Sequence, residues 1–475
     1  MTPSKPGVNL VGFVGGEQGQ GPSVRLGLGE VVRRLERGLE HAGVPVVTVP
    51  YLPSSGGAPS FRPADAVHSV NLICLNADYF EGFLADAGSD FFTGRTSIGF
   101  WFWETSRFRL ARRAPLAFLD EIWVASSYVR EAIAAEVDIP VFVAPLPMDT
   151  PRAPAPSRSE LGLPDGYLFL YSFNFVSGVR KNPTAVVDAF TRAFAPGEGP
   201  SLVLKSVNGR ERKPHLLADL ERAARDRPDV VVLDWFASED ESRAMLASCD
   251  CYVSLHRSEG LGLTMAEAMA LGKPVIATAY SGNVEFMSEA NSYLVPYELV
   301  DVPSTWWAYE PGATWAEPNV GAAAELMRRV WEHPDEAQAL GGRARDDLLG
   351  RFSLRRTADF VERRLEDLRA HGTSSPRAAG HDARPAIVEA SQMLAGDLGT
   401  GLADRGAAPA SLVRRLLRRA LWPYLEDQRR VDTAVLEAVS SLQRSVDELE
   451  RRVRRLEGSR GEPDADAATG RSIPR

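Results

Sequence analysis

Two glutamates, Glu259 and Glu267, stand eight residues apart around the run Gly260-Leu261-Gly262-Leu263. Small residues at such a place let backbone N–H groups approach an anion, and the start of a helix behind them carries about half a positive charge. That combination suits a diphosphate. A carboxylate accepts hydrogen bonds from paired hydroxyls, so a ribose and a hexose are natural targets for the two glutamates. Upstream, Arg180 and Lys181 are adjacent and precede Pro183, which marks a helix start. Two cations there form a phosphate clamp. Lys205 ends the apolar run SLVLK in a chain with only five lysines among its 54 basic residues. It reads either as a third phosphate ligand or as a solvated strand-end lysine. Packing alone offers a competing account of the glycine loop, and an acidic residue in a first helical turn also serves the helix dipole.

The elements that must position these groups are legible around residues 250 to 283. Cys251, Val253 and Leu255 alternate with Tyr252 and Ser254 and predict a buried strand. Residues 263 to 271 contain Met265, Ala266, Ala268, Met269, Ala270 and Leu271, and predict a helix ended by Gly272 and Pro274. Val275 to Ala279 is the next strand, and Ser281, Gly282 and Asn283 turn after it. A βαβ unit of this kind puts its first loop at the ligand edge of a parallel sheet. A similar unit begins at Tyr167 to Phe173, continues through the loop 174–182 and enters a helix from Thr184.

The string from His256 to Thr278, HRSEGLGLTMAEAMALGKPVIAT, resembles the E-x7-E signature of retaining glycosyltransferase family 4, the group 1 glycosyltransferases. The resemblance extends more loosely over residues of about 7 to 370. It implies an α/β chain with the GT-B fold, in which two Rossmann-like doubly wound domains face a cleft. It also implies retaining transfer of a hexose from a nucleoside-diphosphate sugar to a hydroxyl acceptor. On that reading Arg180, Lys181, Lys205 and the N–H groups of Gly260, Leu261, Gly262 and Leu263 receive the diphosphate. Glu267 takes the ribose hydroxyls, Glu259 the donor sugar, and Ser281 and Asn283 complete the donor site. Two departures stand out. An arginine common in the family before the Arg-Lys pair is replaced by Phe175, and a first-domain histidine near the sugar has no counterpart. Asn76, Asp78, Trp103 and Glu104, at predicted strand ends, are the acceptor-side candidates. Trp103 either stacks on a sugar or packs in the core. The donor is a substrate; no other cofactor and no metal is expected. Other readings are a catalytically idle nucleotide-sugar-binding scaffold, a phosphorylase, which would depend on phosphate, and an epimerase, which would need no acceptor.

The domain plan follows. Residues 1–150 form an acceptor-side domain and 151–350 a nucleotide-sugar domain. Residues 351–370 form a closing helix and 371–410 a disordered linker. Residues 411–458 hold an amphipathic helix and a coiled coil, and 459–475 a disordered tail. In the helix predicted over residues 29 to 42, Val31, Val32, Leu35 and Leu39 face in, with Arg33, Arg34 and Arg37 outward. The long loop from Gly15 to Gly29 is either an acceptor-side loop or a plain surface loop. Residues 411–425 carry four arginines beside an apolar stripe and suit either a membrane surface or a protein partner. Val435, Val439, Leu442, Val446, Leu449, Val453 and Leu456 predict a parallel coiled coil and hence a homodimer.

Composition sets the outer limits. A net charge of -9 argues against general nucleic-acid binding. Cys74, Cys249 and Cys251 give no disulfide framework and read as buried thiols of a reducing compartment. MTPSKPG has no apolar core of a signal peptide, and no run of 18 apolar residues spans a membrane. The expected location is therefore the cytoplasm, with peripheral contact at the inner membrane face through residues 411–425. The acceptor expected there is a glycan or a lipid-linked acceptor, in surface polysaccharide or glycolipid assembly.

Overall fold

The computed structural model describes residues 5–13, 27–51, 61–108, 114–149, 156–303, 309–310 and 312–371. Most of the first loop, Trp306 and Trp307, nearly all of the linker, the amphipathic stretch, the coiled coil and the tail lie outside the described residues.

Two six-stranded parallel sheets form the framework. The first contains β1 (Val8–Gly12), β2 (Val46–Pro50), β3 (Val70–Cys74), β4 (Thr96–Trp101), β5 (Glu121–Val124) and β6 (Val141–Val143), in the order β2-β1-β3-β4-β5-β6. The second contains β7 (Leu168–Asn174), β8 (Ser201–Val207), β9 (Val230–Asp234), β10 (Cys251–Ser254), β11 (Val275–Thr278) and β12 (Tyr293–Val295), in the order β12-β11-β10-β7-β8-β9. Strands β1, β3, β5, β10 and β11 are buried along their whole length. That follows from near-continuous apolar runs covered by helices on both faces. In the second sheet the chain runs outward through β7, β8 and β9, then returns to the other side of β7 with β10. The loops after β7 and β10 therefore meet at the topological switch point, where such sheets bind ligands.

A hairpin that the sequence reading did not anticipate, β13 (Tyr297–Asp301) and β14 (Thr314–Pro318), follows β12. Thr314 binds Ser106 of the first domain, Oγ1 to Oγ at 2.9 Å. The helix Leu354–His371 returns to the first domain and packs on the helix Leu28–His41. Thr357 Oγ1 donates to Pro145 O at 2.8 Å, and Arg364 pairs with buried Glu121 while lying over Phe142. Gly38 permits the close approach: a Cβ there would stand 2.6 Å from Thr357 Cγ2. No helix among the described residues is long and apolar enough to cross a membrane.

Candidate functional site

The loop after β10 is braced before it can bind anything. The Glu259 N–H donates to Ser281 Oγ at 2.8 Å, and the Gly282 N–H donates to Glu259 O at 2.9 Å. Ser281 holds φ at 77°, a left-handed value unusual for serine. Asn283 Nδ2 donates to Thr278 O at 2.9 Å, which turns its Oδ1 toward His256 Nε2 at 3.1 Å. His256 Nε2 also faces Tyr280 O, so it carries the proton, and Nδ1 accepts from Ser254 Oγ at 3.0 Å. Burial pushes the His256 pKa down and favours this neutral ring. Ser281 and Asn283 thus hold the loop in shape from beneath. Gly282 lies so close that an added Cβ would be 2.2 Å from Gly260 O. Gly282→Ala is expected to lower stability by about 1–3 kcal/mol, read as a lower urea midpoint. An unchanged midpoint would mean the loop is looser than this geometry.

Glu259 and the cations form one cluster. Arg180 and Lys181 lie in a single helical turn, Gly178–Lys181, where the sequence predicted a loop. Asn182 then adopts a left-handed conformation, and the helix Pro183–Ala193 begins. Arg257 fixes the turn's far end: its N–H donates to Arg180 O at 2.8 Å and its Nη1 to Val179 O at 2.6 Å. Arg180 Nη1 donates to Ser258 O at 2.6 Å and lies 3.2 Å from Glu259 Oε2. Lys181 Nζ contacts Glu259 Oε1. Burial works against the Glu259 charge, but Lys181, Arg180 and His256 outweigh it and hold the carboxyl down at about 2. Burial also pushes the Lys181 ammonium down, partly opposed by Glu259. Arg180 Nε is buried without a protein partner.

The first domain supplies the other wall. Asn76 Oδ1 accepts from the Phe102 N–H at 2.9 Å and so fixes the segment after β4. Glu104 Oε1 lies 3.9 Å from Arg180 Nη2. Trp103 is buried, with Nε1 donating to Arg107 O at 2.6 Å and its ring in edge contacts with Phe108 and Tyr309. Its backbone O would be 3.1 Å from a Cβ on Gly260. Asp78 lies in the first turn of the helix Ala77–Ala87. Ser126 caps the helix Ser127–Ala134 and donates to Gly260 O at 2.7 Å, joining the two domains at the glycine loop.

Two candidate residues stand apart from this cluster. Lys205 Nζ donates to Ser206 O at 2.9 Å and to Trp235 O, and lies 4.6 Å from the centre of the Trp235 ring. Burial pushes its ammonium down to about 8, with Asp234 and Glu241 opposing. Glu267, in the helix Leu263–Ala270, accepts from Arg34 Nη2 at 2.8 Å. This corrects the outward placement of Arg34, which is only 8% exposed. Arg34 is three residues from Val31 and four from Gly38, so it borders the inward face, and its contacts with Pro147 and Glu267 complete its burial. Gly262 precedes that helix at φ 91°, and Leu261 is buried beneath the loop. Leu263 begins the helix, where first-turn N–H groups lack intrahelical acceptors. Among the described residues no group of three His, Cys, Asp or Glu side chains could hold a metal ion.

Residues 169–302 match the family model of the group 1 glycosyl transferases. That span contains Arg180, Lys181, Lys205, Glu259 and Glu267. No curated protein matches the chain in sequence. Among solved structures, Anabaena HepE in complex with UDP and glucose aligns at 15% identity with a TM-score of 0.53, covering 76% of this chain and 100% of that one. Sucrose-phosphate synthase from Thermosynechococcus elongatus aligns at 16% identity with a TM-score of 0.55, covering 78% and 100%. At such identities the likeness is one of fold: two parallel-sheet Rossmann-like domains, consistent with GT-B.

Proposed function

We propose that this chain is a retaining glycosyltransferase that moves a hexose from a nucleoside-diphosphate sugar to a hydroxyl acceptor. The observation that carries the reading is the buried Glu259 between Arg180 and Lys181 at the switch point of the second sheet. A carboxylate there marks a seat that accepts anionic oxygens. The match of residues 169–302 to group 1 glycosyl transferases supports it, and Anabaena HepE, which shares the fold, forms complexes with UDP and glucose and with UDP-glucose. The donor diphosphate lies on Arg180, Lys181, Lys205 and the first-turn N–H groups from Leu263, and Glu267 takes ribose hydroxyls. Glu259 turns from the cations to the donor sugar. The acceptor hydroxyl approaches from the side of Asn76, Asp78, Trp103 and Glu104. Its oxygen bonds to the anomeric carbon on the face the diphosphate leaves. The bond from that carbon to the phosphate oxygen breaks, and the acceptor proton passes to the leaving phosphate. The acceptor is a glycan or a lipid-linked molecule, and the chain acts as a homodimer.

The first test is thermal shift against UDP-, GDP- and ADP-sugars, with Glu267→Ala and Lys205→Ala alongside. The expected result is stabilisation by one nucleotide series, lost in both variants. A flat response across the panel would overturn the donor reading. Lys205 adds a pH signature. Its folded pKa of about 8 lies below the ordinary 10.5, so the cost of burying its charge is present below pH 8 and relieved as pH rises toward 10.5. A diphosphate beside it favours the charged form. Binding is therefore expected to take up a proton near pH 8 and to weaken above it, measured by calorimetry in buffers of different ionisation enthalpy. No proton uptake would remove Lys205 from the diphosphate.

A further inference from the structure

Arg34 is held in one geometry by four groups. Its Nε donates to Glu30 Oε1 at 2.7 Å, and its Nη1 donates to Pro147 O at 3.0 Å and faces Met148 Sδ at 2.9 Å. Its Nη2 donates to Glu267 Oε1 at 2.8 Å. The guanidinium is a rigid planar fork, so fixing Nε and Nη1 aims Nη2. Arg34 belongs to the first domain, Pro147 and Met148 to the segment leaving it, and Glu267 to the second sheet's helix. The Glu267 side chain stays 27% exposed, and its contact with Arg34 is through Oε1 alone. A carboxylate with one oxygen fixed and one available can receive paired hydroxyls in a single orientation.

We propose that Arg34 is a positioning residue of the donor site: by holding Glu267 Oε1 it orients Oε2 toward the donor's ribose hydroxyls, so nucleotide affinity depends on contact between the two domains. This rests on the donor reading above. Burial raises the Glu267 pKa, and Arg34 is the leading group that opposes this. Glu30, from the same helix as Arg34, and Glu239 act with burial, while Arg243 acts with Arg34. Removing the guanidinium therefore lets Glu267 protonate at higher pH, and the acid limit of nucleotide binding moves up with it.

Calorimetry with UDP, and with GDP and ADP alongside, tests this on the full chain. The variants are Arg34→Met, Arg34→Lys, Glu267→Gln and the double variant Arg34→Met/Glu267→Gln. Arg34→Met is expected to weaken nucleotide binding about tenfold, the scale of one charge-assisted hydrogen bond. It is expected to raise KM for the donor while kcat changes less than about twofold. The acid limit of binding should move to higher pH, and Arg34→Lys should recover part of the affinity. In the Glu267→Gln background the Arg34 change should cost nothing further. An equal loss in both backgrounds, or no loss in either, overturns the positioning role. If Glu267→Gln leaves nucleotide affinity unchanged, the ribose reading fails first, and this inference fails with it. Should Arg34→Met not fold, Arg34→Lys carries the same comparison, with a smaller loss that must also vanish in the Glu267→Gln background.

Discussion

Lys181→Ala is expected to lower turnover about 10²–10³-fold while leaving the fold intact. The size follows from where charge develops. When the bond to the anomeric carbon breaks, negative charge collects on the leaving diphosphate, and a preorganised cation there acts mainly on the transition state. Lys181 is built for this: its neighbour Arg180 is locked by Ser258 O and Glu259, and its own carbonyl accepts from Tyr171 at 2.6 Å. Loss of the ammonium leaves Glu259 still paired with Arg180 at 3.2 Å, so the fold keeps its main compensation. The stability loss should therefore be smaller than the ~3–5 kcal/mol of an ion stripped of its only partner. Steady-state release of nucleoside diphosphate, with a thermal melt of the same sample, separates the two effects. Turnover within a factor of about two of the parent would remove Lys181 from the phosphate seat and leave Lys205 and the helix start to carry it.

How far the sequence could lead is clearest at this cluster. The strand, loop, helix and strand from 250 to 283 are local features, set by alternation, glycine and proline, and they stand as β10, the helix Leu263–Ala270 and β11. What local pattern does not encode is pairing across the chain. Lys181 and Glu259 are 78 residues apart, and Arg34 and Glu267 are 233 apart. Arg34 read as a surface arginine because periodicity counts it as polar; only the helix's seat against Pro147 and Glu267 makes that position an interior one. Lys205 is the reverse case. Its residue type singled it out, yet its partners are Ser206 O and Trp235, apart from the Arg180–Glu259–Lys181 cluster. The hairpin of β13 and β14 escaped because twelve residues separate its paired ends, Asp301 and Thr314, with no two-residue turn signal between them.

Glu259→Gln should separate the empty protein from the loaded one. In the empty protein it removes the carboxylate that compensates two buried cations; among the described residues Glu104, at 3.9 Å, is the other acid paired with Arg180. Leaving such charges uncompensated costs about 3–5 kcal/mol. The wild-type contribution has a defined pH window. The folded pKa of about 2 lies below the ordinary 4.5, so this stabilisation is complete above pH 4.5 and is lost as pH falls toward 2. The glutamine variant should lack that acid-dependent component. A diphosphate changes the comparison, because its oxygens can compensate Arg180 and Lys181 in place of Glu259. In the wild type it must first displace the carboxylate, while in the variant the cations are already without it. UDP, or the nucleotide that stabilises the wild type, is therefore expected to raise the melting temperature more in Glu259→Gln than in the wild type. Sugar transfer should nonetheless fall, because the carboxylate proposed to hold the donor sugar is gone. Equal stabilisation of both proteins would mean that the diphosphate does not meet these cations. The buried Arg180–Glu259–Lys181 cluster would then be a structural clasp, and the phosphate seat would have to be sought at Lys205 and the Leu263 helix start.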